Sequence, residues 1–363
     1  MSSSWGERIR ISIFGGSHTQ GIGVNIDGLP AGEEIDWQRV LDQMTRRAPG
    51  QDPTATARRE ADQPKVLCGL LNGMTTGAPL CAVIENTNQR SKDYSQLKVL
   101  PRPGHADYTA HVKYRGFNDV RGGGHFSGRL TAPLVFAGAV ARQLLARRGI
   151  AVGSHVMAIG GVKDEPFDSV NLSSKLLNRL NQVYFPVINL QAQEAMRGEV
   201  ERARMAQDSV GGIVECGIIG LPVGVGNPMF DGVENLIASI VFGIPAVKGI
   251  EFGAGFSVAE LLGSENNDEM YICEDGRVRG ASNNAGGILG GITNGMPLVF
   301  RTAFKPTPSI SREQDTVDLR TMTNARLTIT GRHDPCIVPR AAAAVEAAAC
   351  LAAMELMAQS GML

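Results

Sequence analysis

Glycine constrains this chain more than any other feature. There are 44 glycines in 363 residues, about 12% against an average of about 7%. They are neither periodic, as in collagen, nor dispersed, as in a linker. They cluster at Gly122-Gly123-Gly124, Gly286-Gly287 and Gly290-Gly291. Such clusters mark places where backbone bends sharply or approaches a ligand closely. The rest of the composition is that of a soluble globular protein, with 43% hydrophobic and 20% charged residues. A chain of this length buries roughly three quarters of its unfolded surface.

Formal net charge is -1. With no global basic field, a nucleic-acid partner is disfavoured, and any anionic ligand must be held by local Arg or Lys clusters. The six cysteines, Cys68, Cys81, Cys216, Cys273, Cys336 and Cys350, form no CxxC pair. They read as reduced, mostly buried thiols in a reducing compartment. Met1 to Arg10 is polar and carries no apolar signal core. No stretch approaches the ~20 apolar residues of a membrane span. The expectation is a cytoplasmic protein with no membrane or nucleic-acid partner.

Ile9, Ile11 and Ile13 alternate with polar residues, so Arg8 to Phe14 reads as a strand, followed by another near Val24 to Ile26. Asp36 is placed to cap a helix carrying Trp37, Val40, Leu41 and Met44 and ending at Arg46-Arg47. Residues 49 to 64 read as a loop and Pro79 to Ile84 as a buried strand. Further helices are expected over Thr131 to Arg148, Asp168 to Tyr184, Gln191 to Gln207, Met229 to Phe242 and Pro339 to Gln359. Strands are expected over Gly212 to Ile219 and Pro297 to Phe304. The order is irregular, which favours α+β over a doubly wound sheet. Residues 86 to 128 lack apolar periodicity yet keep Tyr94, Tyr108, Tyr114, Phe117 and Phe126. A long polar segment that retains aromatics reads as functional.

Five constellations carry chemistry. Gly15-Gly16-Ser17-His18 exposes a hydroxyl and an imidazole at a strand end, and His is the side chain best suited to proton transfer near neutral pH. Arg102-Pro103-Gly104-His105-Ala106-Asp107-Tyr108 sets His105 in a Pro-Gly turn beside Arg and Asp. Gly122 to Arg129 puts glycine-rich backbone before a helix N-terminus, a ready anion site, without the pattern of a Walker loop or a dinucleotide fingerprint. Gly280 to Gly291 leads on to Lys305-Pro306-Thr307-Pro308-Ser309, whose cation and hydroxyls on a stiff turn suit a phosphate. Arg332-His333-Asp334 is a compact charged triplet before the last helix. Each also has a plain alternative as a solvated turn with local ion pairs. His18, His105, His125 and His333 fall in no metal-ligand spacing, and Ser17 lies in no nucleophile elbow.

Taken in order, these segments resemble the chorismate synthase family from roughly Arg8 to Met357. The blocks are Phe14 to His18, Gln89 to Tyr94, Arg102 to Thr109, Arg121 to Gly124, Pro245 to Gly249, Asn284 to Gly291, Lys305 to Ser309 and Arg332 to Cys336. The resemblance implies a β-α-β sandwich in which antiparallel sheets enclose long helices, assembled as a homotetramer. It implies trans-1,4 elimination of phosphate from 5-enolpyruvylshikimate 3-phosphate to give chorismate, requiring reduced FMN without net redox change, and associates the chain with NADP. His18 matches the histidine that protonates the departing phosphate, and His105 the one assigned to the reduced flavin. Ser17 and Ser127 match proton-relaying serines, and Asp334 an aspartate assisting proton abstraction through the flavin. Arg47, Arg102, Arg129 and Arg332 match substrate-binding cations. Flavin contacts carry over to His125, Phe126, Ser127, Ala246, Gly290, Lys305, Pro306, Thr307, Pro308, Ser309 and Arg332.

Several positions depart from the family pattern. Gly16 and Leu130 replace frequent glutamates, His125-Phe126-Ser127 replaces Arg-Ser-Ser, Pro53 replaces a loop Arg, and Pro245 replaces Asn. Residues 1–363 are expected to form one catalytic domain without a fused flavin reductase, so that reduced FMN comes from an external reductase or another source. The rival readings are a flavin- or phosphometabolite-binding protein without turnover, and a nucleic-acid module built on Arg58-Arg59, Arg115 and Arg121.

Overall fold

In the computed structural model, which describes residues 3–50, 52, 62–87, 96–329 and 334–363, the alternating isoleucines do face inward. Ile9, Ile11, Ile22, Val24 and Ile26 are buried, and Ile13 is half-buried against the same core. Ile9 lies just before, and the others within, a five-stranded antiparallel sheet of β1 (Ser4–Trp5), β2 (Arg10–Gly15), β3 (Gly21–Asp27), β4 (Pro64–Cys68) and β5 (Leu80–Glu85), in the order β1-β2-β3-β5-β4. A second antiparallel sheet contains β6 (Ala151–Ile159), β7 (Val162–Lys163), β8 (Gly212–Ile219), β9 (Val247–Phe252) and β10 (Leu298–Phe304), in the order β9-β10-β8-β6-β7.

Among the described residues, the longer α-helices are α1 (Trp37–Arg47), α2 (Asp107–Lys113), α3 (Thr131–Arg147), α4 (Ser174–Leu180), α5 (Leu190–Met205), α6 (Val233–Val241) and α7 (Val338–Gln359). The α3 helix packs on the first sheet and α7 on the second, and the two pack on each other. The result is an α+β sandwich with helices enclosed between antiparallel sheets. Both helices carry apolar residues on every side, with a few paired charges among them, because both are covered on most sides. They meet so closely that a Cβ on Gly138 would lie 2.3 Å from the Cα of Ala347.

No stretch of the sequence was expected to match a membrane span, and α7 corrects that. It is long and apolar enough to cross a membrane, but 94% of its apolar window is buried inside this fold. It is a core helix, and it carries two fully buried carboxylates. Glu346 takes Arg46, Arg142 and Ser154. Glu355 accepts from the backbone N–H groups of Glu7, Arg8 and Ile9, pinning the entry to β2. Buried carboxylates persist only where charge and hydrogen bonds are matched in this way.

Two helices come out shorter than their sequence pattern. Asp168 to Tyr184 yields only α4, because Asp168 closes a turn onto Val170 and Asn171, and Ser173 then caps the helix. Met229 to Phe242 splits at Gly232 into a short 3-10 turn and α6. Only Cys216, Cys336 and Cys350 of the six free thiols are buried; Cys68 is exposed and Cys81 and Cys273 are half-buried.

Candidate active site

β2 ends at Gly15 (φ 91°), where a Cβ would lie 2.3 Å from the Gly21 carbonyl oxygen. The chain turns there, but the turn folds inward against the triple glycine, so Ser17 and His18 are buried and not exposed as their place in a glycine turn suggests. Ser17 Oγ donates to the Arg121 carbonyl at 3.1 Å. Its one proton being spent there, it accepts from His18 Nδ1 at 3.1 Å, which assigns the Nδ1 proton and leaves Nε2 as the other ring nitrogen.

Gly122, Gly123 and Gly124 all have positive φ, and each stands where a side chain would collide. A Cβ on Gly122 would lie 2.2 Å from His18 Cε1, and one on Gly123 would lie 3.1 Å from His105 Nε2. The triple glycine is thus a thin wall with one histidine against each of two neighbouring residues. His105 Nδ1 lies 2.6 Å from Asp107 Oδ1 and 3.2 Å from Arg102 Nη2. A carboxylate only accepts and a guanidinium only donates, so one nitrogen cannot serve both. The shorter contact assigns a proton to Nδ1, donated to Asp107, so in the neutral ring Nε2 is the acceptor. Burial alone would raise the Asp107 carboxyl, but hydrogen bonds from Arg102 and His105 outweigh it and hold it well below the usual carboxylate range.

From Arg102 the contacts run on through residues far apart in sequence. Arg102 Nη1 donates to Ser309 Oγ at 3.1 Å, at the end of the Lys305–Ser309 turn. Lys305 Nζ donates to the Gly104 carbonyl, and Pro308 lies 3.6 Å from where a Gly104 Cβ would sit. Burial, then the neighbouring Lys248, lowers the Lys305 pKa. The Lys305 N–H bonds the carbonyl of Ala246, a non-glycine held at φ 76°. Thr307 Oγ1 donates to the Asp334 carbonyl at 3.0 Å. The Asp334 carboxylate pairs with Arg340, whose Nε reaches the Arg47 carbonyl at 3.1 Å. Arg47 Nη1 meets Asp62 Oδ2 at 2.6 Å, and Arg129 takes the other oxygen of the same carboxylate. Arg129 Nε donates to Asn86 Oδ1 at 3.0 Å, and Asn86 Nδ2 donates to the Gly16 carbonyl at 3.0 Å. The circuit closes on the turn that carries His18.

Cations outnumber carboxylates along it: Arg47, Arg102, Arg129, Lys305 and Arg340 against Asp62, Asp107 and Asp334. Arg47 feels the excess. Burial pulls its pKa down to about 10, Asp62 opposes that, and repulsion from Arg340 and Arg129 adds to it. Such a cluster favours a multiply charged anion. A cleft of about 650 Å³ adjoins it at Gly15, Thr19 and Asn86. A larger one, about 930 Å³, opens between α1, α3 and α4 and touches none of these site residues.

The circuit brings together His18, Ser17, His105, Asp334, Arg47, Arg102, Arg129, Ala246 and the Lys305–Ser309 turn. Ser127 caps the short 3-10 turn leading to α3 by accepting from the Arg129 N–H. His125 and Phe126 are exposed beside it. His125 Nδ1 donates to the Gly15 carbonyl at 2.8 Å, and the Phe126 ring lies 6.4 Å from that of Tyr114. Gly290 lies in an exposed hairpin turn whose next residue, Gly291, packs on Asn227 and Gly232. No contact among the described residues ties it to the histidines. Arg332, His333, Pro53 and the Gln89–Tyr94 block lie outside the described residues. Asp62 and Asn86, whose partners are long-range, escape a reading of the sequence, and so does Arg340, which joins nearby Asp334 to the distant end of α1. Asp107 enters that reading only as part of a motif.

A family model described as chorismate synthase matches residues 9–358. A chorismate synthase of Dehalococcoides mccartyi strain BAV1 is 46% identical over all of this chain and 98% of that protein. One from Thermococcus kodakarensis is 48% identical over 94% of this chain and 93% of that protein. A crystal structure of chorismate synthase superimposes with a TM-score of 0.75 at 25% identity, covering 98% of this chain and 93% of that one. The chain belongs to the chorismate synthase family, lyases of aromatic amino-acid biosynthesis.

Proposed function

We propose that this chain eliminates phosphate and a ring proton from 5-enolpyruvylshikimate 3-phosphate in the trans-1,4 sense to give chorismate, requiring reduced FMN without net redox change. The observation that carries the reading is the pair His18 and His105 against one triple-glycine wall, within a circuit of surplus cations. The substrate has two carboxylates and a phosphate, and Arg47, Arg102, Arg129 and Arg332 are the groups to hold them. His18 Nε2 delivers the proton to the departing phosphate, while Ser17 fixes the ring through Nδ1 and Ser127 serves as a second relay. Asp107 fixes the His105 ring through Nδ1, and His105 serves the reduced flavin. Asp334 assists removal of the ring proton.

The donor set fits the flavin phosphate. Lys305, Thr307 and Ser309 stand on one Pro-stiffened turn tied to Arg102 and Gly104. Pro306, Pro308, Ala246, His125, Phe126, Ser127, Gly290 and Arg332 complete the contacts. When bound, reduced FMN supplies transient electron donation that eases C–O cleavage. We take residues 1–363 to act as one catalytic unit, supported by a main hydrophobic core running from Ile9 to Met357. The family resemblance suggests an external reductase or other source of reduced FMN, with NADP as the associated nucleotide. A cytoplasmic homotetramer accords with the free thiols and with large apolar side chains left in the open, among them Phe230, Phe256, Leu262 and Ile272.

The test is anaerobic incubation with substrate and chemically reduced FMN, following chorismate and phosphate together. Equal release of both, abolished in His18→Ala and in His105→Ala, is expected. Reduced FMN bound with neither product formed would mean a binding protein instead.

A further inference from the structure

We propose that Arg340 is a positioning residue for Asp334, braced on the backbone at the end of α1; the inference rests on the role proposed for Asp334 in assisting removal of the ring proton. Arg340 lies in the first turn of α7, the most thoroughly buried helix of the fold, so its side chain starts from a rigid base. The guanidinium is mostly covered and spends two of its edges on different elements. One amine pairs with the Asp334 carboxylate, and Nε donates to the Arg47 carbonyl in the last turn of α1. That carbonyl is one of those a helix end leaves without an intrahelical partner, so the contact also caps α1. Asp334 is thereby held from two sides: its carboxylate by α7, its main chain by Thr307 of the Lys305–Ser309 turn. A planar fork with fixed donor directions can meet both partners at once, whereas an ammonium has no second fixed edge. A carboxylate that assists proton abstraction through the flavin must be held in one place, and Arg340 supplies that orientation.

The experiment compares Arg340→Gln, Arg340→Lys, Asp334→Asn and the Arg340→Gln/Asp334→Asn double variant of the full chain, in anaerobic turnover with reduced FMN. Arg340→Gln is expected to lower kcat by about 100-fold, the scale set by a carboxylate displaced by about an ångström. Arg340→Lys, which keeps the charge and can still meet Asp334, is expected to recover about tenfold of that. The double variant is expected to be no slower than Asp334→Asn alone, since one residue acts through the other. Losses that multiply, or Arg340→Lys with full wild-type kcat, would overturn the proposal, and the lysine variant decides even where the glutamine variant does not fold. If Asp334→Asn itself leaves kcat unchanged, it is the role of Asp334 that fails.

Discussion

Gly122 shows how far one missing carbon governs the site. At φ 61° an L side chain is already strained, and its Cβ would occupy the space of the His18 imidazole. Gly122→Ala is expected to cost about 1–2 kcal/mol of stability through the backbone but about 100-fold in kcat through the displaced histidine. Anaerobic turnover beside urea unfolding separates the two, and an alanine variant with wild-type kcat would show that His18 does not need its place. Asp62 is the opposite case, one carboxylate shared by Arg47 and Arg129. Asp62→Asn leaves two buried guanidinium groups facing each other, and the expected loss is about 3–5 kcal/mol. Added phosphate should restore stability to the variant more than it helps the wild type; equal effects would argue against an anion-seeking cluster. The histidines could be read from sequence because glycine and proline turns surround them locally. Asp62, Asn86 and Arg340 could not, because what gives each its meaning lies on another element.

At the scale of elements, the α3–α7 contact sets the thickness of the sandwich. Gly138→Ala puts a methyl into the Ala347 backbone, and overpacking of this kind costs about 1–3 kcal/mol. A lower urea midpoint with an unchanged slope is the expected result, and an unchanged midpoint would mean that the helices can part freely. The long helices were legible because each ends on local signals, as with Asp36 capping α1 and Gly149 following α3. Where a local signal fell inside a periodic run, periodicity misled: Ser173 starts α4 late and Gly232 divides α6 from the turn before it. Sheet order was not legible at all. β8 lies between β6 and β10, and β10 is supplied from about eighty residues further on, so no neighbouring residue announces the pairing.

At the scale of the whole molecule, stability against pH rests on a buried group far from the chemistry. His155 is fully buried in β6, with Nδ1 2.9 Å from Asp164 and Nε2 2.9 Å from Glu215 on β8. Asp164 also accepts from the N–H groups of Ile188 and Asn189, and Glu215 from that of Phe167. Both carboxylates are therefore acceptors, and the ring must donate from both nitrogens as an imidazolium. Burial opposes that charge, but the two carboxylates outweigh it and raise the His155 pKa. A raised folded-state pKa gives stability that is fully present below the unfolded value of about 6.5 and is lost as pH rises through the folded value. On the acid side Asp62 and Asp107, both lowered, contribute stability present above about 3.9 and lost as pH falls towards their folded values. The protein should thus hold a plateau between two limbs with separate causes. His155→Gln should be less stable than the wild type at pH 6 yet lose less as pH rises, so that the two curves converge on the alkaline side. Thermal unfolding from pH 6 to 9 measures this, and curves that stay parallel would mean that the ring is not charged in the folded protein.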